Sequence, residues 1–266
     1  MKSKCISIHS SRGGTGKSLI ATNLAVLYAK KGLNVALLDL DFRAPSLTGI
    51  FSKIIKTPVE CWLNDYLNGQ CSTQNATVDI SGNYGLEGKL LVGLTNPNVD
   101  VIRNMVEKSR AWEVSAIKRL FLLRSYLFEE MNIDRCFFDT SPGVQYMSVN
   151  AVVSSDLSIV ITTLDSIDLT GTESMLNELY DAFEKKTVIV INKVFPEARA
   201  PNNEQKQNAV KRVEEALGRP VLGAIPCYCD VLQTDRSTVL AIEKPNHPFV
   251  RDLETIVDKL EQANMI

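Results

Sequence analysis

The stretch Ser11-Arg12-Gly13-Gly14-Thr15-Gly16-Lys17-Ser18 decides how this chain folds. It follows a short apolar run from Lys4 to His9, and it opens a helical pattern that spans Lys17 to Lys31 and closes at Gly32. The spacing meets the phosphate-loop pattern G-x-x-x-x-G-K-[ST] except at its first position, which is Ser11. Glycines let a backbone turn its N–H groups toward phosphate oxygens with no Cβ in the way. The helix that follows adds the positive end of its dipole. On this reading Gly13, Gly14, Thr15 and Gly16 cradle phosphates, Lys17 reaches the β and γ phosphates, and the Ser18 hydroxyl binds Mg²⁺. A glycine-rich turn before a helix is the plain alternative. The strand–loop–helix context that the motif requires is present, and it favours the phosphate loop.

Outward from this loop, short runs rich in Val, Ile, Leu or Phe recur: Val35 to Leu40, Leu90 to Leu94, Arg135 to Asp139, Leu157 to Thr162, Thr187 to Ile191 and Val221 to Ile225. They are nearly continuous rather than alternating, which is the pattern of strands covered on both faces. Amphipathic stretches lie between several of them, near Ala111 to Met131, Leu169 to Lys185, Asn203 to Leu217 and Pro248 to Gln262. This alternation predicts an α/β fold: a doubly wound, mostly parallel sheet with helices on both faces, as one domain over 1–266. In such sheets ligands bind beyond the carboxyl ends of the strands. The segment Phe51 to Lys89 has no clear period and reads as irregular.

Four features fall at predicted strand ends. One is the phosphate loop. Asp39 and Asp41 close the second run, and residues two apart on a strand share a face. One can orient a magnesium shell while the other positions a water for attack on the γ-phosphate. Asp139 closes the run Cys136-Phe137-Phe138, where a magnesium-supporting carboxylate belongs, although a loop acid or helix cap is the plain account. Asn192-Lys193 ends the run Val188 to Ile191, and an Asn amide can pair with the N6 and N7 edge of adenine. Guanine specificity usually needs an Asp two residues past that Lys, and here the position is Phe195. ATP is the expected nucleotide.

Together these residues resemble the MinD/ParA family of deviant Walker A P-loop ATPases. The matched pieces are Arg12 to Ser18, Asp39-Leu40-Asp41, Asp139-Thr140-Ser141-Pro142-Gly143, Asn192-Lys193 and the late Gly223-Ala224-Ile225-Pro226. The resemblance implies an ATPase that binds ATP and Mg²⁺ between two facing subunits and releases the dimer on hydrolysis. It implies that Lys17 is the P-loop lysine, Ser18 a metal ligand, and Asp41 the residue that positions water. Asp39 and Asp139 support the metal, and Asn192 and Pro226 contact the base. The family usually has a Lys directly before the two glycines, reaching into the partner's site. This chain has Arg12, whose planar fork suits phosphate recognition.

The remaining composition narrows the cargo. With 266 residues, 45% hydrophobic and net charge -2, the chain has no global basic field for nucleic acid or anionic lipid. No apolar run approaches the roughly 20 residues of a membrane span, and the start has no secretory pattern. The expected location is the cytoplasm, with reduced thiols. Leu253, Ile256, Val257 and Leu260 read as a core-packed stripe on a last helix with a largely acidic polar face, which argues against a stable membrane anchor. Lys206, Lys211 and Arg212, or Lys118, Arg119 and Arg124, could supply some exposed cations for DNA, but such charges are more often solvated faces. The reading is an ATP-dependent homodimer that recruits an unidentified protein partner in spatial regulation. The alternative is a metal-loading ATPase, with Cys227 and Cys229 from two subunits supplying four thiolates. His9 reads as a packed strand residue, and Trp112, Phe121 and Leu127 as a core-facing set.

Overall fold

The computed structural model describes residues 3–56, 58–195, 202–235 and 237–262. Strands β1 (Lys4–His9), β2 (Val35–Leu40), β3 (Val78–Asp79), β4 (Leu90–Gly93), β5 (Arg135–Thr140), β6 (Leu157–Thr162), β7 (Thr187–Val194) and β8 (Val221–Pro226) share one sheet. Their order is β3-β4-β2-β5-β1-β6-β7-β8, and only β3 against β4 is antiparallel. All residues of β2, β5 and β6 are buried. Their side chains divide between two cores: Val35 and Leu37 pack on one face, Ala36, Leu38 and Leu40 on the other. This two-sided burial is why the sequence runs are continuous rather than alternating.

The helices of the first half are α1 (Lys17–Lys30), α2 (Leu47–Ile50), α3 (Leu63–Leu67), α4 (Ser81–Tyr84), α5 (Val99–Val106) and α6 (Arg110–Glu129). Those of the second are α7 (Tyr146–Ser154), α8 (Ser166–Met175), α9 (Asn202–Leu217), α10 (Cys229–Leu232), α11 (Leu240–Glu243) and α12 (Pro248–Gln262). One core joins α1, α11 and α12 to the sheet, while α6 and α7, then α8 and α9, cover the opposite face. The predicted stripe Leu253, Ile256, Val257, Leu260 is buried in the first of these cores. The last residues of that predicted tail, 263–266, lie outside the described residues.

The structure departs from the sequence reading in several places. The helix expected over 169–185 begins at Ser166, because the Asp165 carboxylate accepts the N–H groups of Ile167 and Asp168 and caps it. It then widens into a π turn over Leu176–Tyr180. In α6, Leu127 is buried, but Trp112 is half-buried, with its indole N–H donating to Asn68 Oδ1 at 2.8 Å, and Phe121 is 42% exposed. The irregular segment 51–89 holds α3, α4 and β3. Within it Cys61 and Cys71 form a disulfide, Cα to Cα 6.1 Å, across a chain reversal at Gly69 (φ 78°). This corrects the expectation of reduced thiols for Cys61 and Cys71. A ring around α3 brings residues ten apart within bridging distance.

Candidate nucleotide site

The loop 10–16 connects β1 to α1 between β5 and β6, at the carboxyl end of the sheet. Gly14 (φ 83°) and Gly16 (φ 98°) have left-handed backbones, and a Cβ at Gly16 would run into the Asn192 amide. The loop therefore turns its amides inward only with glycine at these points. Lys17 is buried, and its ammonium donates to Ser10 Oγ at 2.9 Å. Burial pulls its pKa down, while Asp139, Asp41 and Asp168 push it back up. Those three carboxylates offset part of the desolvation of the buried ammonium.

Asp39 and Asp139 pair in register across β2 and β5, so the adjacent strand ends bring both acids together. Asp39 Oδ1 accepts the Asp41 amide, and Oδ2 accepts those of Ser46 and Leu47, both at 3.0 Å. The carboxylate expected to support a metal thus ties down the chain entering α2. Asp41 Oδ1 accepts Ser141 Oγ at 2.7 Å and the amides of Arg43 and Ala44. Asp139 Oδ1 and Thr15 Oγ1 are buried and have no hydrogen-bond partner among the described residues.

Asn192 donates its amide to the Thr15 carbonyl at 2.7 Å, and Lys193, itself left-handed (φ 58°), donates to the Gly14 carbonyl at 2.7 Å. The end of β7 thus braces the phosphate loop from outside. Asn192 and Pro226 also line one small cavity with Leu19, Tyr228 and Leu232, so the two residues expected at the base share a wall. Cys227 lines the same cavity, while Cys229 is exposed at the start of α10. Among the described residues no group of three or more His, Cys, Asp or Glu side chains could hold a metal ion. The Arg12 side chain leaves the loop toward solvent, about half exposed, with Nη1 3.3 Å from Asp165 Oδ1. Of the cations considered for DNA, Lys206 is paired with Asp252 and Arg124 with Asp156.

Several contacts have no local signature in sequence. Ser11, the deviation at the first motif position, donates to Asp168 Oδ1 at 2.8 Å and bonds Thr172. Asp168 also accepts the amide and hydroxyl of Thr163. The signal available was the exchange of glycine for a hydroxyl at Ser11, which needs a partner once buried.

The donor set fits magnesium with a triphosphate: an unpartnered buried carboxylate oxygen and an unpartnered threonine hydroxyl flank a buried ammonium and a glycine cradle. Burial raises the Asp139 pKa from 3.8 to about 6, opposed by the Ser18 hydrogen bond and Lys17, and reinforced by Asp41. Because that pKa is raised, the group favours the nucleotide-free fold fully below the ordinary carboxyl value, and this contribution is lost as pH rises through 6. A cation that needs the ionised form must displace one proton below that point. Magnesium-dependent nucleotide affinity is therefore expected to level off about one pH unit above 6 and to fall about fivefold from pH 6 to 5. Titration with a fluorescent ADP analogue at each pH would detect this, and an Asp139→Asn protein should lose the dependence.

The CobQ/CobB/MinD/ParA nucleotide-binding domain matches residues 6–236. A putative septum site-determining protein MinD of Mesostigma viride is 26% identical over 245 residues, 91% of this chain and 77% of that protein. Among solved structures, MinD of Pyrococcus horikoshii complexed with Mg-ADP superposes with a TM-score of 0.74 at 18% identity, covering 98% of this chain and 97% of that one. A plasmid partition protein of Borrelia burgdorferi bound to AMPPNP gives 0.75 at 20% identity, covering 98% and 100%. The profile match spans most of the chain and includes the phosphate loop, both strand-end acid positions, Asn192 and Pro226, and with it the doubly wound sheet places this chain in the CobQ/CobB/MinD/ParA family, among the P-loop ATPases of the MinD/ParA type.

Proposed function

We propose that this chain is an ATP-driven switch: a single domain over 1–266 that binds ATP and Mg²⁺, pairs face to face with a second copy while ATP is bound, and in that state recruits a protein partner. The observation that carries this reading is the setting of Arg12. Lys17 and the three acids are buried, yet Arg12, five residues away, is half exposed and, among the described residues, tied only to the exposed Asp165. An exposed ion pair contributes about 0–1 kcal/mol, so Arg12 is free to exchange Asp165 for a phosphate on a facing subunit. Around it the loops after β5, β6 and β7 leave Val144, Tyr146, Ile167 and Phe195 between 56% and 74% exposed. An apolar rim around a charged mouth suits burial against a second copy.

Within the site, Lys17 and Arg12 would meet phosphate charge, Asp41 would position the attacking water, and Ser18 with Asp139 would hold the magnesium. That ion, when bound, neutralises phosphate oxygens. Asn192 and Pro226 would face the base once the Asn192 amide releases the Thr15 carbonyl. The α12 stripe is buried, so it offers no apolar face to a membrane. Metal loading through Cys227 and Cys229 gains no support from the single chain, because only one of the two thiols lines the base-side cavity.

Size-exclusion chromatography with light scattering tests the switch on nucleotide-free, ADP-bound and ATP-bound Asp41→Ala protein. The expected result is a dimer with ATP alone, and its loss in Asp41→Ala combined with Arg12→Ala. A monomer in every state would remove the sandwich and leave a P-loop ATPase that acts alone.

A further inference from the structure

β5 ends on Asp139 and Thr140, the loop that follows carries Ser141, and three contacts fasten this stretch to β1 and the residue after it. Thr140 Oγ1 donates to the Ile8 carbonyl at 2.8 Å, and the Gly143 amide donates to the Ser10 carbonyl at 2.8 Å. Both use backbone carbonyls, one in β1 and one just past its end, which any sequence would supply. The third is a side chain: His9 Nε2 lies 3.0 Å from the Gly143 carbonyl. Gly143 has φ 73°, so the chain turns sharply there. A carbonyl can only accept, so Nε2 carries the proton, and Nδ1 of a neutral ring must then accept. Its partner is the Tyr180 hydroxyl at 2.7 Å, at the end of the π turn. π turns of this kind are frequent at functional sites, and here the turn ends at the residue that reaches His9.

We propose that His9 is a positioning residue for hydrolysis: with its tautomer fixed by Tyr180, it holds the Gly143 carbonyl and so sets the loop through which Ser141 reaches Asp41. The inference rests on the ATPase reading of the site and adds a residue to it. The ring is fully buried, and burial, with the Lys17 charge adding to it against the Gly143 hydrogen bond, pushes its pKa down to about 4. The ring is therefore neutral with a single N–H at working pH. Ser141 Oγ donates to Asp41 at 2.7 Å, and Ser148 Oγ donates to the Ser141 carbonyl, so a slip at Gly143 is transmitted to Asp41 within two residues. Pro142 also sits 3.9 Å from the position a Cβ on Gly13 would take, so the same loop abuts the phosphate cradle.

The test compares single-turnover hydrolysis of Mg-ATP by the unsubstituted protein with His9→Gln, His9→Leu and Tyr180→Phe. Gln can still donate near the Nε2 position, Leu removes both bonds at similar bulk, and Phe leaves Nδ1 without its donor. His9→Leu is expected to lose about tenfold or more in turnover, since small misplacements of reacting groups have effects of up to about 10²-fold, with Mg-ATP affinity within threefold. His9→Gln should recover most of the loss, and Tyr180→Phe should fall between them. In ¹⁵N spectra, the His9 imidazole of the unsubstituted protein should show protonated Nε2, and its signals should shift between ADP and a non-hydrolysable ATP analogue. Full turnover in His9→Leu, or imidazole signals identical in both nucleotide states, would overturn the proposal. Should His9→Leu not fold, Tyr180→Phe and the spectra decide it. Absence of turnover in the unsubstituted protein would count against the ATPase reading instead, and the spectra need no turnover.

Discussion

Replacing Lys17 with alanine is expected to abolish measurable ATP binding and to lower kcat/KM by at least about 10²- to 10³-fold, the range for losing one preorganised charge in an enclosed site. The size follows from its surroundings. Lys17 is 6% exposed, and Asp139, Asp41 and Asp168 all act on its charge. Without the ammonium, a triphosphate would enter a site whose buried acids Asp39, Asp41, Asp139 and Asp168 have lost their buried lysine, and like charges in low dielectric repel strongly. The same loss leaves Ser10 Oγ without its donor and removes an influence that holds the Asp139 pKa down. Calorimetric titration with Mg-ATP, beside a circular dichroism melt, separates lost binding from lost fold. Retention of ATP affinity within tenfold in a folded Lys17→Ala protein would show that the cradle works without its lysine.

Asp41→Ala is expected to behave differently, with ATP affinity within a few-fold and turnover reduced by about 10²- to 10⁴-fold, the usual contribution of a group that handles a proton or aligns a water. Asp41 organises two loops through one oxygen: Ser141 from the loop after β5, and the Arg43 and Ala44 amides of its own turn. A fall in turnover could come from the missing carboxylate or from the loosened turn. Ser141→Ala separates these, because it removes one hydrogen bond and keeps the carboxylate, so its loss should be about tenfold at most. If Ser141→Ala matched Asp41→Ala, Asp41 would be an anchor for the loop rather than the residue that positions water.

The sheet was legible because burial on both faces leaves a simple mark, an unbroken apolar run of about six residues. Val35 to Leu40 and Leu157 to Thr162 are strands over those spans. Short elements left no such mark. α2, α3 and α4 have four or five residues each, fewer than two helical turns, so no period can develop. α7 follows the Pro142-Gly143 turn and carries three valines, which read locally as extended chain. In the site, the phosphate loop was legible because its glycines and lysine are adjacent in sequence. His9 with Tyr180 and Ser11 with Asp168 are 171 and 157 residues apart, and only the folded topology joins them. Asp39 was recognised by position, but its backbone partners at Ser46 and Leu47 belong to a helix too short to predict. The Cys61–Cys71 bond needed the turn at Gly69, which spacing alone does not reveal.

The two margins of the sheet restrict how copies of this protein can assemble. At one margin β3 has only two residues. At the other, β8 lies between Pro220 and Pro226, residues that cannot donate a ladder hydrogen bond. Neither margin offers a long run of unpaired amides for an incoming strand, so lateral growth into fibres by strand addition is disfavoured at both ends. The face-to-face pairing proposed above uses instead the carboxyl end of the sheet, where the nucleotide loops lie. Under the proposed switch, self-assembly would follow nucleotide state and stay apart from aggregation.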